Sequence, residues 1–271
     1  MYPLDHVKNQ DTFEDTQLGL NLFCDPPGFY PDSPPPTNEA FKLRSGHIVS
    51  VALVGHDPLW GHYLWNAGRK ISRYLELNTN LLRGKTVLEL GAGSGLPSLV
   101  SAYLGADLAV VTDYPNLDLL NNLKRNVKNF YETNKDNLDC MNSRLIVEGY
   151  RWGDECQKLK SHLPAEREGP TGFDVLIMAD LLFNHSEHAK LVETVQKTLK
   201  RDVSAKALVF FTPYRPWLLK NDLAFFDLAQ AGGMIVEKVL EEKMDKVMFE
   251  EDNGDEELRK TVFGYVLRWN L

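Results

Sequence analysis

Apolar residues follow two different spacings along most of the chain. Apolar residues three and four positions apart predict amphipathic helices, whereas short apolar runs bounded by Gly, Pro or Asp predict buried strands. By these rules helices are predicted over residues 57–77, 97–104, 117–131, 187–200 and 217–231. Strands are predicted over residues 85–90, 108–112, 144–147, 174–178, 207–212, 234–240 and 261–269. Helical patterns separate or follow the first five strands, and none separates the last two.

This order of elements predicts an α/β fold. Strands joined by a crossover helix pair in parallel, whereas two strands without a helix between them pair antiparallel. The sequence therefore predicts a Rossmann-like sheet of seven strands, with five parallel strands, a C-terminal antiparallel hairpin and helices on both faces. The pattern contains no internal repeat, and a single domain is expected over residues 39–271.

Residues 1–38 differ in composition from the rest and are expected to form an N-terminal extension. The stretch "DPPGFYPDSPPPT" contains six prolines and one glycine, which cannot continue a helix or a central strand. Phe23, Phe29 and Tyr30 lie in or beside it. Because aromatic side chains gain from burial, we expect part of this extension to dock on the domain.

Composition limits the classes of partner and compartment. The 271 residues are 43% hydrophobic and 25% charged, as in ordinary soluble proteins, and the net charge of −8 argues against direct contact with nucleic acid. The sequence has neither a signal-peptide pattern nor an uninterrupted apolar span, which argues against secretion and membrane insertion. Cys24, Cys140 and Cys156 lack zinc-ligand spacing and favour a reducing compartment. A cytoplasmic monomer is expected.

The connection between the last two predicted strands is strongly acidic. Residues 241–257, "EEKMDKVMFEEDNGDEE", contain nine acids and two lysines. Two interpretations are open at this point: a solvated, poorly ordered hairpin tip, or a surface that recruits a basic protein.

A glycine-rich turn follows the first strand of the predicted sheet. In "KTVLELGAGSGLPSL" the glycines stand at 91, 93 and 95, which is the spacing G-x-G-x-G rather than the dinucleotide fingerprint G-x-G-x-x-G. In such sheets a ligand binds beyond the carboxyl ends of the strands. S-adenosylmethionine has no phosphate and needs backbone that lacks Cβ atoms beside it. The loop alone leaves both this methyl donor and a dinucleotide open.

An acidic residue and three tryptophans refine the choice of ligand. Asp113 ends the second strand, where its carboxylate can accept hydrogen bonds from ribose hydroxyls of either ligand, or can cap the next helix. Trp60, Trp65 and Trp152 lie near predicted strand ends. Each can belong to the core, but an indole face also attracts a sulfonium cation. The tryptophans therefore favour S-adenosylmethionine.

Five motifs in this order carry a family resemblance: "LWNAG", "VLELGAGSGLPSL", "VTDY", "YRWGD" and "MADLLFNHSEH". Together they resemble the class I, seven-strand S-adenosylmethionine-dependent protein lysine methyltransferases of family 16. The segments "LFCDPPGFYPDSPPPT" and "WGHYLWNAG" are similar to the fungal branch that methylates the N-terminal glycine and the adjacent lysine of translation elongation factor 1-alpha. The resemblance implies this fold, a methyl donor without a metal, and elongation factor 1-alpha as protein substrate.

The site residues expected to contact the methyl donor come mainly from this resemblance. They are Trp65, Glu89, Gly91, Ala92, Gly93, Asp113, Trp152 and Ala179. Phe183 is a departure, because relatives often have Tyr at this position, and a hydroxyl contact to the amine is therefore not expected.

Three residues are candidates for the chemistry. Asp180 would hold the acceptor ammonium, with His185 or water taking the proton, and Tyr214 would line the acceptor channel. Only a neutral amine can accept the methyl group, which costs about 4–5 kcal/mol for lysine but about 1 kcal/mol for an α-amine near pH 7. Asp180 can alternatively cap the following helix. His185 and His188 lack a third ligand at metal-binding spacing, and a helix start capped by Asn184 or Ser186 explains them.

Other functions remain open at this point. A small-molecule N-methyltransferase of the nicotinamide type would use the same donor pocket. An NAD(P)-dependent oxidoreductase would share the fold, although the chain lacks a second half for the other nucleotide. A protein that binds the donor without catalysis is the third alternative.

Overall fold

The computed structural model describes residues 35–55, 60–165 and 171–271, of which Pro35 onward belongs to one compact unit. Most of the expected N-terminal extension, including its aromatic residues, lies outside the described residues. The first described element is a β-hairpin that the apolar pattern did not predict. Strand β1 (Thr37–Lys42) pairs antiparallel with β2 (Ile48–Leu53), so β1 starts within the stretch assigned to the extension.

Polar contacts from a distant helix hold this hairpin, which explains why local sequence did not reveal it. The side-chain amides of Asn122 and Asn126 both donate to the Ala52 carbonyl at 2.8 Å. The Ala52 N–H in turn donates to Asn126 Oδ1 at 2.8 Å. The partners are separated by 70 or more residues, so the hairpin depends on long-range contacts.

The central sheet has the predicted number, type and direction of strands. Its strands are β3 (Thr86–Leu90), β4 (Leu108–Asp113), β5 (Arg144–Gly149), β6 (Val175–Ala179), β7 (Lys206–Phe211), β8 (Met234–Lys243) and β9 (Thr261–Trp269). Their spatial order is β5-β4-β3-β6-β7-β9-β8, with β9 antiparallel to both of its neighbours. The first five pair in parallel, and the predicted fold is confirmed. The chain leaves β3 toward β4 on one side and reaches β6 on the other, which creates a switch point at the end of β3.

Helices lie against the sheet and in its connections. They are α1 (Asn66–Leu77), α2 (Leu96–Tyr103), α3 (Leu117–Thr133), α4 (Leu138–Asn142), α5 (Gln157–Lys160), α6 (His188–Thr198), α7 (Leu219–Ala231) and α8 (Glu256–Arg259). Helix α1 begins nine residues after the predicted position 57, because residues 60–65 form turns and a loop instead. No described helix is long and apolar enough to cross a bilayer.

Alternate residues of the buried strands pack on opposite faces of the sheet. Leu88 belongs to one hydrophobic cluster and its neighbour Val87 to a second. Phe211 and Phe210 are divided in the same way. All five residues of β3 are buried, as expected of a central parallel strand, and they include the polar residues Thr86 and Glu89. The packing thereby holds the carboxyl end of β3, and the glycine turn that follows it, in a fixed position.

Candidate active site

A cavity of about 610 Å³ opens at the carboxyl ends of β3, β4 and β6. All eight residues expected to contact the methyl donor line it: Trp65, Glu89, Gly91, Ala92, Gly93, Asp113, Trp152 and Ala179. Asp180 lines the same cavity, so the structure brings the candidate donor residues and one catalytic candidate together. Aromatic residues that also line it are Trp60, Tyr63, Tyr114, Tyr150 and Phe183.

The glycine turn brings bare backbone to the cavity. Gly91 and Gly93 have φ angles of +57° and +54°, a region that side chains disfavour. A Cβ on Gly91 would lie 2.6 Å from Leu181 Cδ2, so this position is also sterically closed. A Cβ on Gly93 would meet no protein atom within 4 Å. Because Gly93 lines the cavity, such a Cβ would occupy space that is available to a ligand.

We expect Gly93→Ala to weaken binding of S-adenosylmethionine at least tenfold. Gly46 offers a matched control, since it too has a positive φ, +91°, and open space at Cβ, but it lies in the turn between β1 and β2. Both substitutions should lower the melting temperature by a few degrees, because a left-handed non-glycine residue costs about 1–2 kcal/mol. Titration calorimetry measures the affinities. Equal donor affinities of Gly93→Ala and Gly46→Ala would contradict a role of Gly93 at the donor.

Backbone N–H groups hold the carboxylate of Asp113 at the end of β4. The Gly93 N–H donates to Asp113 Oδ2 at 2.7 Å, and the Tyr114 N–H donates to Oδ1 at 2.7 Å. The alternative role as a helix cap is wrong, because Asn116 caps α3 and accepts from the Asp118 and Leu119 N–H groups. Asp113 is therefore an oriented acceptor on the cavity wall, as recognition of sugar hydroxyls requires.

Glu89 adds a second acid beside the glycine turn. Its side chain is buried, and Oε2 accepts from the Ser98 N–H at 3.0 Å and from the Ser98 hydroxyl. Burial raises the pKa of Glu89 to about 8, the hydrogen bonds from Ser98 oppose this rise, and the charge of Asp113 adds to it. Near neutral pH the residue is therefore mostly protonated, and a bound cation would favour its ionised form.

Asp180 joins three separate parts of the fold. Its Oδ2 accepts from the Ala67 N–H at 2.9 Å, and its Oδ1 accepts from the Thr212 N–H at 2.7 Å. The Tyr214 hydroxyl lies 3.5 Å from Oδ2. Helix α1 receives no capping hydrogen bond from the side chain of its own N-cap residue, Trp65. Asp180, which lies outside the helix, accepts from the Ala67 N–H in the first turn instead. The residue thus caps a helix, but α1 rather than the one that follows.

The environment of Asp180 suits proton exchange. Burial raises the pKa of its carboxyl to about 7, whereas the hydrogen bonds from Ala67, Thr212 and Tyr214 lower it, and Asp222 adds a small rise. Its φ angle of +56° is unusual for a residue other than glycine. Strained backbone of this kind and a shifted pKa both concentrate at functional sites.

The other two catalytic candidates lie elsewhere than on the cavity wall. Tyr214 packs behind Trp65, with ring centroids 5.0 Å apart, and burial raises the pKa of its hydroxyl well above the ordinary value. His185 lies in a 3-10 turn before α6 and pairs with Asp222 on α7, with Nε2 2.6 Å from Oδ1. We expected His185 to take the proton, but His185 is not among the residues that line the cavity.

Phe249, which was not among the residues predicted for the site, packs against the aromatic residues of the cavity wall. Its ring lies 5.1 Å from that of Tyr63, 5.8 Å from that of Trp65 and 5.8 Å from that of Tyr214, which makes a continuous aromatic cluster. It comes from the acidic connection between β8 and β9. The signal was an aromatic residue in "VMF" within an otherwise charged segment. No group of His, Cys, Asp and Glu within the described ranges is arranged to hold a metal ion.

The raised pKa of Glu89 makes the stability of the ligand-free protein depend on pH. A carboxyl whose pKa is higher in the folded chain binds more protons when folded, so its contribution to the free energy of unfolding falls as pH rises between the two values. For Glu89 these values are 4.5 and about 8. We therefore expect the melting temperature of wild type to fall relative to that of Glu89→Gln between pH 5 and pH 8. A constant difference across this range would contradict the assignment.

Comparison with known proteins identifies the family. A family model for lysine methyltransferases matches residues 56–231, which is more than half of the chain. A relative from Neurospora crassa, named protein N-terminal and lysine N-methyltransferase efm7, is 49% identical over 98% of this chain and 93% of its own length. The relative of the same name from Emericella nidulans is 49% identical over 92% of this chain and 95% of its own.

A solved structure agrees with the fold. A protein from Streptococcus mutans, described as a SAM-dependent methyltransferase, superimposes with a TM-score of 0.53 at 16% identity. The match covers 87% of this chain and 56% of that one. On the family model, and on relatives of nearly half identity along almost the whole sequence, the chain belongs to the lysine methyltransferase family and is an enzyme of that class.

Proposed function

We propose that the protein transfers methyl groups from S-adenosylmethionine to the N-terminal α-amine and the adjacent lysine of translation elongation factor 1-alpha. The observation that supports this most is the position of Asp180, a buried carboxyl with a pKa of about 7 on the wall of the cavity that the donor residues line. The names of the relatives support an acceptor on a protein, and the resemblance of the motifs supports the elongation factor.

The residues present fit this donor better than a dinucleotide. Asp113 lies beside the glycine turn, and its negative charge would repel a pyrophosphate but attract a cation, as would Glu89 in its ionised form. The two cations on the cavity wall, Arg151 and Lys190, are paired with Asp154 and Glu187. S-adenosylmethionine supplies a methyl carbon that leaves its sulfur as the acceptor nitrogen bonds to it. Asp113 would hold the ribose, and the backbone at Gly91 and Gly93 would lie against the donor.

The chain must orient an amine and remove one of its protons. Asp180 is held by two backbone N–H groups, so its position does not change when an amine arrives. A carboxyl with a pKa near 7 exchanges protons at physiological pH, and in its ionised form it can accept a hydrogen bond from the amine. An α-amine loses its proton more easily than lysine does, so we expect the N-terminal amine to react first.

The location and assembly of the enzyme belong to the same proposal. We place it in the cytoplasm, where its elongation-factor substrate acts in translation, and as a monomer without direct contact with nucleic acid or membrane. Gel filtration with light scattering would measure the mass in solution, and a mass near twice 30.8 kDa would contradict the monomer.

The decisive experiment offers alternative acceptors to the purified enzyme. It is incubated with methyl-labelled S-adenosylmethionine and either recombinant elongation factor 1-alpha with a free N-terminus, the same protein with an acetylated N-terminus, or nicotinamide. Mass spectrometry of the N-terminal peptide should show label on the N-terminal amine and on the adjacent lysine. Acetylation should abolish the label on the N-terminal amine. Label on nicotinamide alone would establish the small-molecule alternative instead.

A further inference from the structure

The acidic connection between β8 and β9 folds back onto the site instead of forming a free hairpin tip. Phe249 lies in the aromatic cluster with Tyr63, Trp65 and Tyr214 described above. The Tyr214 hydroxyl also donates to Met248 Sδ at 3.5 Å. The Tyr214 hydroxyl lies 3.5 Å from Asp180 Oδ2, and Trp65 lines the cavity just before α1. This part of the connection therefore packs against residues next to Asp180, where the proposed function places the acceptor amine.

Several contacts fix the backbone of the connection. Buried Arg259 donates from Nη1 to the Phe249 carbonyl at 2.7 Å. Asp255 caps α8 by accepting from the Leu258 N–H. A Cβ on Gly254 would lie 3.3 Å from the side chain of Trp217, which is itself 63% exposed. The segment is therefore a built surface that joins an exposed tryptophan to the aromatic cluster.

The negative charge of this surface is concentrated next to Phe249. Acids near the strand ends are neutralised, for example Glu242 by Lys70 and Glu257 by Lys243. Glu250, Glu251 and Asp252 follow Phe249 directly and are exposed, and no ion pair joins them to a cation in residues 35–55, 60–165 or 171–271. Within the described part of the chain, three carboxylates without an ion-pair partner thus follow Phe249 of the aromatic cluster.

We propose that residues 248–252 form the substrate-recognition element, which selects a polypeptide with basic residues close to its acceptor amine. Phe249 bounds the acceptor side of the site, and Glu250, Glu251 and Asp252 bind the cationic side chains that follow the amine. This inference rests on the proposed function, and it names the substrate class by its charge. Met248 contacts the Tyr214 hydroxyl, which lies 3.5 Å from Asp180 Oδ2, and the three acids follow Met248 within four positions. Because an extended chain spans about 3.3–3.6 Å per residue, side chains a few residues after an amine at Asp180 can reach these acids.

The physical basis is charge complementarity at the edge of an aromatic site. Opposite charges across an exposed surface raise the association rate and lower KM, and salt weakens both effects. The family model ends at residue 231, so the connection lies outside the part of the chain that it matches. These acids would not strengthen the binding of a small uncharged metabolite, but they would strengthen the binding of a lysine-rich peptide.

A triple variant with a matched control tests the charged part. The test protein combines Glu250→Gln, Glu251→Gln and Asp252→Asn. The control protein combines three substitutions at exposed positions outside the cavity lining, Asp107→Asn, Asp136→Asn and Asp227→Asn. The probes are two synthetic peptides that begin with free Gly-Lys, one continuing with lysines and the other with glutamines. The first triple should lower kcat/KM for the lysine peptide at least tenfold and abolish its salt dependence.

The other arms of this experiment separate the possible failures. The control triple and the glutamine peptide should show less than a threefold change. If wild type methylates the lysine peptide but both triples match it, the recognition inference is wrong and the proposed function stands. If wild type methylates neither peptide nor the elongation factor, the proposed function itself is wrong. Donor affinity, measured by calorimetry, should be unchanged in both triples.

Variants of Phe249 test the aromatic part. Phe249→Ala should lower kcat/KM for the lysine peptide at least tenfold, with the donor dissociation constant within threefold of wild type, and Phe249→Tyr should restore most of the activity. Should Phe249→Ala prove unfolded by its melting curve, Phe249→Leu replaces it, since it keeps apolar volume but not the ring. Wild-type kcat/KM in the folded Ala or Leu variant would contradict a role for Phe249.

Discussion

Asp180→Asn will lower kcat at least a hundredfold while the dissociation constant for S-adenosylmethionine stays within about threefold of wild type. The Asp180 carboxylate lines the cavity and accepts from Ala67 in α1 and from Thr212, the residue after β7. Proton transfer by a positioned side chain contributes about 10²–10⁴ in rate. Asparagine cannot accept a proton at neutral pH. Single-turnover assays measure the rate of the chemical step, and calorimetry measures the affinity for S-adenosylmethionine.

The choice of Asn keeps the fold interpretable. Asp180 has a positive φ, which Asn tolerates better than Ala does, and the side-chain oxygen of Asn can still accept from one of the two N–H groups. A modest fall in melting temperature is expected, because one N–H loses its acceptor. Wild-type kcat in a folded Asp180→Asn protein would remove this residue from the mechanism.

The pH dependence of kcat gives an independent test of the same residue. The carboxyl of Asp180 has a pKa of about 7, so its ionised form increases between pH 6 and pH 8. If that form receives the proton, kcat should rise over this range, and the rise should be much smaller in Asp180→Asn. An identical pH profile in the two proteins would show that another group titrates.

Asp113→Ala will weaken binding of S-adenosylmethionine by about a hundredfold. Each hydrogen bond from a sugar hydroxyl to a carboxylate contributes about 1.5 kcal/mol or more, and about 1.4 kcal/mol corresponds to a factor of ten. The substitution also leaves the Gly93 N–H without its acceptor at 2.7 Å. Calorimetry measures the affinity, with Asp118→Ala on α3 as a control that removes the same charge from an exposed position.

Comparing two ligands distinguishes a sugar contact from simple charge attraction. S-adenosylhomocysteine has the same ribose but lacks the positive sulfur. If Asp113 holds the ribose, Asp113→Ala should weaken both ligands by a similar factor. A loss confined to S-adenosylmethionine would mean that Asp113 acts through its charge, and no loss for either would remove it from the donor site.

The glycine turn and Asp113 of the donor site could be predicted from the sequence because their determinants are local. The apolar run of β3, the glycines that follow it and the acid that ends β4 each lie at a strand end, and parallel strands bring these ends to one edge. Gly91 and Gly93 were recognisable since a positive φ at a turn leaves little choice of residue. All eight expected donor contacts, most of which came from the family resemblance, line one cavity.

The acceptor half depends on contacts between residues far apart in the chain, and no local pattern reports them. Asp180 caps a helix whose Ala67 is 113 positions away, and His185 is turned to Asp222 at 37 positions. Phe249 reaches Trp65 from a segment whose charge predicted either a solvated hairpin tip or a surface for a basic protein, and neither interpretation predicted this contact. Strand ends and turns follow from backbone geometry that neighbouring residues impose. The packing of the whole domain decides which side chains meet across a cavity. A buried polar group needs a hydrogen-bond partner and a buried side chain needs close neighbours, but either can come from any segment that the fold brings near.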